Sequence, residues 1–207
     1  MRLVCLSDTH NLHENLVIPE GDVLIHAGDC TDGGTERETR HFLDWFTAQP
    51  HPVKILVPGN HDFYFEKEMI SGHPDLYLLI DEELVINKVK FWGSPYIPGQ
   101  ENWAFTKERG KAIRQHWNQI PPDTDVLITH TPAYGILDEI RSGSKLGCEE
   151  LVYRIGQIKP AYHLFGHIHH AAGSAFLQGT RHFNLSILDE RFRIMHSPRV
   201  INVDFAK

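Results

Sequence analysis

The chain has 207 residues, 20 of them Lys or Arg against 27 Asp or Glu, for a formal net charge of −7. That balance argues against a broad electrostatic hold on long nucleic acid, while leaving room for a local site that binds phosphate. Hydrophobic residues make up 41% and charged residues 23%, an ordinary soluble composition with enough chain for one α/β domain over residues 1–207.

No apolar run is long enough to span a bilayer, and the short apolar start before Asp8 has no secretory h-region. Cys5, Cys30 and Cys148 are scattered and form no CxxC pair. A reducing cytoplasm is therefore expected, without a disulfide framework.

The first predicted strand, "RLVCL", runs into Asp8 and His10, and the second, "DVLIHAGD", ends at Asp29. Thr35 and Glu38 form a capping box ahead of a helix with Phe42, Leu43 and Phe46 on one face. "VKILV" then stops at Gly59, Asn60, His61 and Asp62, where an Asx turn would be the ordinary explanation. "LVINKVKFWGSPY" reads as two strands joined by a tight turn near Asn87 and Lys88. A second helix carries Ile113, Trp117 and Ile120 and is stopped by "IPPDTD".

"DVLITHTP" brings another strand to His130. A third helix carries Leu151, Val152, Ile155 and Ile158 and ends at Pro160. "AYHLFGHIHH" reaches His167 and His169, and Ala172 to Phe205 reads as mostly β. There is no repeat, low-complexity tract or composition break, which predicts a single domain.

Five short apolar runs thus end in Asp, His or Asn. In open α/β sheets, ligands sit beyond the carboxyl ends of the strands, so these donors are expected at one edge. The chain holds 15 histidines, and histidine is the commonest metal ligand. Carboxylate, imidazole and amide donors without thiolate suit Mn, Fe or Zn and argue against a finger-type structural zinc. Residues i and i+2 of a strand share a face, which would aim Asp8 with His10, and His167 with His169, at one ion.

Seven donors are too many for one ion and suit two that share a bridging carboxylate, an arrangement that clamps both oxygens of a displacement at phosphorus. Two divalent ions against Asp8, Asp29 and a hydroxide leave about one net positive charge, attractive to a phosphoryl group.

Taken together, "DTH" at 8–10, "GD" at 28–29, "GNHD" at 59–62, "THTP" at 129–132 and "GHIH" at 166–169 resemble the signature of calcineurin-like metallophosphoesterases. "GTERETRHFLDWF", "GCEELV" and "LFGHIHHAAG" further resemble the small metallophosphoesterase-domain proteins, a branch that includes cyclic-nucleotide phosphodiesterases. The resemblance implies a four-layer α/β/β/α sandwich of two mixed sheets flanked by helices. It also implies two divalent ions per chain, with Mn favoured.

Carried over by motif, Asp8, His10 and His169 hold one ion, Asn60, His130 and His167 hold the other, and Asp29 bridges. His61 then donates a proton to the leaving-group oxygen or stabilises phosphoryl charge, and Asp62 holds its ring. The implied substrate is a small phosphodiester, such as a cyclic nucleotide. A phosphomonoesterase on the same centre and a non-catalytic scaffold are the other readings.

Several neighbours are expected to be ordinary. Cys30 reads as a small buried hydrophobe, Asp32 as turn chemistry, and Asn184 and Ser186 as β-ladder positions. His170 departs from the branch, which tends to carry an acidic residue and an aromatic one after "GHIH"; it reads as a solvated neighbour. Trp45, Trp92, Trp103 and Trp117 read as packing residues. His13, His26, His41, His51, His73, His116, His163, His182 and His196 are assigned no chemistry.

Overall fold

A computed structural model of the chain describes residues 1–68, 74–99 and 102–204. The first half runs β1 (Arg2–Leu6), β2 (Val23–Ala27), α1 (Glu36–Thr47), β3 (Val53–Val57), α2 (Phe63–Lys67), β4 (Leu76–Leu78), β5 (Glu82–Ile86) and β6 (Val89–Ser94). It continues through β7 (Ile97–Pro98), β8 (Thr106–Lys107), α3 (Lys111–Trp117), β9 (Val126–Thr129), α4 (Glu149–Ile158) and β10 (Tyr162–Phe165). Three strands follow, β11 (Gly173–Leu177), β12 (Thr180–Asn184) and β13 (Arg199–Asn202).

One sheet has the order β13-β1-β2-β3-β4 and the other β11-β12-β10-β9-β6-β5. Both are mixed: β1, β2, β3 and β4 run parallel with β13 opposed, while β6, β9, β10 and β12 run parallel with β5 and β11 opposed.

Strand alternation explains the layering. Leu3, Cys5, Ile25 and Ile55 face across to Phe91, Val126, Ile128 and Leu164 of the second sheet, forming the central core. The intervening residues Val4, Leu6, Leu24 and Leu56 face the other way, onto Phe42, Leu43 and Phe46 of α1. Leu127 and Phe165 likewise pack on Ile113 and Trp117 of α3 and Leu151 and Ile155 of α4. Both faces of the central strands are buried, so they read as continuous apolar runs rather than alternating ones. The architecture is the expected four-layer sandwich.

The capping box forms: Glu38 N–H donates to Thr35 Oγ1 at 3.3 Å and Thr35 N–H to the Glu38 carboxylate at 2.9 Å. Asn87 and Lys88 have φ of 50° and 67°, the two positive values that a tight hairpin turn needs. Ile120 lies beyond the last turn of α3 yet stays buried. Residues 185–198 depart from the expected β run, and Phe205 and His73 lie outside the described residues. Asp189 is the cause: its carboxylate accepts from Arg191 N–H at 2.9 Å and Arg193 N–H at 3.0 Å, closing a turn instead of a strand.

Candidate metal centre

All seven proposed donors lie past the carboxyl ends of β1, β2, β3, β9 and β10, where the edges of the two sheets meet. Asp8, His10, Asp29 and His167 have φ of 55°, 39°, 55° and 70°. Left-handed backbone costs a non-glycine residue about 1–3 kcal/mol, so each loop is held against its own preference. Asp8 and His10 therefore converge through a left-handed loop, and not through the shared strand face that their spacing suggested.

Asp8, His10 and His169 form one group, with ligand atoms within 4.8 Å of one another. Asp8 is fixed from behind. Its Oδ2 accepts from Ser7 Oγ at 2.6 Å and Ser186 Oγ at 2.5 Å, and His167 N–H donates to its Oδ1 at 3.0 Å. His169 Nδ1–H donates to the Asp189 carbonyl at 3.2 Å, which turns Nε2 inward to face Asp8 Oδ1 at 3.6 Å.

Asp29, His130 and His167 form a second group on the same criterion, so His167 and His169 fall in different groups and do not aim at one point as their i, i+2 spacing suggested. His130 Nδ1–H donates to the Ala27 carbonyl at 3.0 Å. Its Nε2 faces Asn60 Oδ1 at 3.0 Å and Asp29 Oδ2 at 3.1 Å. The same Asp29 oxygen lies 3.8 Å from His10 Nε2, so one carboxylate faces both groups. Backbone carbonyls behind the rings choose which nitrogen points inward, as they do in metal sites generally.

Two glycines make room. A Cβ on Gly59 would sit 2.3 Å from Asp29 Oδ1, and one on Gly166 would sit 2.2 Å from Asp8 Oδ2.

The electrostatics ask for positive charge. Burial alone would raise the Asp8 and Asp29 carboxyls, but His169 beside Asp8 and His130 beside Asp29 outweigh it and hold both below the usual carboxylate range. Burial would lower His130 and His169, yet Asp29 and Asp8 push each ring up to about 9. His167 lacks such a close partner and burial takes it down to about 4.

His10 is only 5% exposed, and neither ring nitrogen has a hydrogen-bond partner. The two buried His10 nitrogens without partners, set beside carboxylate and amide oxygens, fit divalent cations.

His61 stands beside this cluster, its ring centroid 4.7 Å from that of His10. Its Nδ1–H donates to the Asp32 carbonyl at 2.7 Å, and its backbone N–H to Asp29 Oδ1 at 2.9 Å. Asp62 is a correction to the sequence reading, because its carboxylate does not hold the His61 ring. It is fully buried and accepts from Gly59 N–H, Cys30 N–H, Thr31 N–H and Thr31 Oγ at 2.8, 3.3, 2.9 and 2.6 Å. Burial and then the charge of Asp29 raise its pKa. Asp62 ties the Gly59–Asp62 turn to the Asp29 loop, and the Asp32 carbonyl orients His61.

Ser186 and Asn184 are more than ladder positions. Ser186 grips Asp8, while Asn184 Oδ1 accepts from Ser186 N–H at 3.1 Å and its Nδ2 donates to the Ile168 carbonyl at 2.9 Å. Cys30 is buried as expected, but its thiol also donates to Asp62 Oδ1 at 3.3 Å, and burial and then Asp62 raise it. His170 faces Glu190 at 3.8 Å rather than the donors. Over the centre lies a cavity of about 380 Å³ whose lining includes His61, Asn60, Trp103 and Phe192. Trp103, read as packing, is half exposed there.

The fold and this set of donors define a metallophosphoesterase. The calcineurin-like phosphoesterase family model matches residues 1–171, and the chain belongs to that family. The family uses a dinuclear divalent metal centre. Human metallophosphoesterase domain-containing protein 1 is 33% identical over 230 residues, an alignment spanning 98% of this chain and 71% of that protein. A UPF0046 protein of Caenorhabditis elegans is 34% identical over 98% of this chain and 75% of its own length. The solved phosphopantetheinyl hydrolase of Mycobacterium tuberculosis shares the fold at a TM-score of 0.63 and 17% identity, covering 98% of this chain and 96% of that one. The chain is a metal-dependent phosphoester hydrolase by family. No helix among the described residues is long and apolar enough to cross a membrane.

Proposed function

We propose that the chain is a phosphodiesterase that hydrolyses a small phosphodiester, a cyclic nucleotide being one candidate, by in-line displacement at phosphorus. The observation that carries this reading is Asp29, whose Oδ2 faces His130 at 3.1 Å and His10 at 3.8 Å, one from each donor group. Asp8, His10 and His169 would hold one divalent ion and Asn60, His130 and His167 the other, with Asp29 between them. The oxygen and nitrogen donors suit manganese, with iron or zinc next. Such a pair supplies a nucleophile at neutral pH and offsets charge on the phosphoryl oxygens.

The side chains do the rest. Nδ1–H of His61 is committed to the Asp32 carbonyl, so Nε2 is the nitrogen that hands a proton to the departing oxygen. Asn60, being neutral, leaves the site more positive than an aspartate would. Among the described residues lining the cavity there is no Lys or Arg. A dianionic monoester is ordinarily clamped by a guanidinium, so this lining favours the monoanionic diester. The expected setting is the cytoplasm, with the small substrate as partner and no long nucleic acid.

The test is to strip the protein with chelator, restore Mn, Fe, Zn or Mg singly, and compare hydrolysis of bis-p-nitrophenyl phosphate and p-nitrophenyl phosphate. The expected result is diesterase activity restored by metal and lost in His61→Ala and Asn60→Ala. Preference for the monoester would overturn the substrate class.

A further inference from the structure

We propose that Trp103 and Phe192 form a slot for a flat aromatic group carried by the substrate, with Trp103 on the leaving-group side. This rests on the phosphodiesterase reading above. Both residues line the cavity over the metal donors, and both are large apolar side chains left 47% and 46% exposed.

Their positions are fixed. The Trp103 ring stacks on Phe63 at 6.2 Å and 24°, and lies 4.6 Å from the His61 ring at 39°. Whatever oxygen receives a proton from His61 therefore departs alongside the indole.

Phe192 packs on the first donor group, edge-on to His10 at 4.9 Å and to His169 at 5.6 Å, with His61 and Trp103 on the other side of His10 in the cavity lining. It does so from strained backbone, with φ of 56°, a region that a bulky residue rarely adopts. The strain is held by the Asp189 turn. Phe192 N–H donates to the Asp189 carbonyl at 2.9 Å, and the Arg193 guanidinium grips the Asp189 carboxylate at 2.8 Å. That same Asp189 carbonyl orients His169. Strain kept beside a reactive centre is where a functional constraint is expected.

The remaining wall suits the same ligand. Ile97 and Pro98 are apolar, and Thr106 offers only a neutral hydroxyl. Flat aromatic and aliphatic walls without a cation recognise an uncharged ring and not a second phosphate. Stacking of one base on an aromatic side chain is worth about 1–3 kcal/mol, which is roughly 5- to 150-fold in affinity.

The test is calorimetry on Mn-loaded protein with two matched pairs, phenyl phosphate against methyl phosphate and adenosine 5′-monophosphate against ribose 5-phosphate. Wild type should bind the aromatic member of a pair roughly 5- to 150-fold tighter. Trp103→Ala should move that ratio about tenfold towards one, Phe192→Leu should lower it, and Trp103→Phe should keep most of it. A larger ratio for the adenosine pair identifies a nucleobase as the ring, and a larger ratio for the phenyl pair identifies a simple aryl ester.

Ratios near one in wild type, or ratios unmoved in both Trp103→Ala and Phe192→Leu, would overturn the slot. Hydrolysis of bis-p-nitrophenyl phosphate by the same preparations separates the two claims. Activity with ratios near one removes the slot alone. Trp103-dependent ratios without activity leave the slot and remove the phosphodiesterase reading.

Discussion

Asp62→Asn is the substitution that most sharply separates a turn-holding carboxylate from a catalytic one. Asp62 Oδ2 accepts from Gly59 N–H at 2.8 Å and Cys30 N–H at 3.3 Å, and Oδ1 accepts from Thr31 N–H at 2.9 Å and Thr31 Oγ at 2.6 Å. An amide keeps one oxygen and sets an NH₂ against the other pair of donors. With the NH₂ towards Gly59 and Cys30, two buried N–H groups lose their acceptor. Towards Thr31 one does, because the hydroxyl can turn to accept. Each loss costs about 1–3 kcal/mol, or about 1–6 kcal/mol in total. Against a typical stability of about 5–15 kcal/mol that is a large fraction. At about 2–4 °C per kcal/mol for a chain of this size, the melting temperature should fall by roughly 2–24 °C. Thermal unfolding followed by circular dichroism measures this directly. A melting temperature unchanged within about 1 °C, together with a large loss of turnover, would refute the reasoning and return Asp62 to the side of His61.

Other outcomes follow from the same geometry. Ser186→Ala removes one of two hydroxyls on Asp8 Oδ2, and should weaken metal binding by about tenfold, the low end for a ligand's supporting partner, as read by competition with a chromogenic chelator. Gly59→Ala places a methyl 2.3 Å from Asp29 Oδ1, and metal analysis after dialysis should find the centre emptied.

The fold should also weaken in acid. Burial lowers His26 to about 3 and takes His163 well below its ordinary 6.5. Above that value both are neutral folded and unfolded. Below it the unfolded chain gains protons that the fold refuses, so stability drops as pH falls from 6.5, by up to about 1.4 kcal/mol per pH unit for each ring. Urea titrations of the chelated protein between pH 7 and 5 should show a shallower loss in His26→Gln than in wild type.

Much of the fold was legible because its central strands are buried on both faces, which leaves short apolar runs that no surface helix would carry. The donors were legible because each such run breaks off into Asp, Asn or His. What escaped was what leaves no local trace. The group that orients His61 is the carbonyl of Asp32, and a carbonyl has no signature in sequence, so the neighbouring carboxylate of Asp62 stands out there instead. Ser186 reaches Asp8 from the far end of the chain, and its setting in an alternating stretch looked like an ordinary strand. The Asp189–Arg193 turn was hidden in the same way, since Phe192 and Ile194 imitate strand periodicity while Asp189 gathers the N–H groups of a turn. Trp103 looks like a packing residue in the sequence, which does not show which tryptophans stay half exposed.

The central claim is a pair of ions sharing the Asp29 carboxylate. Electron paramagnetic resonance of protein loaded with manganese tests it most directly. The account predicts two manganese per chain with the spectrum of a coupled pair, and loss of the coupling in Asp29→Asn. One manganese per chain with the six-line spectrum of an isolated ion would contradict it.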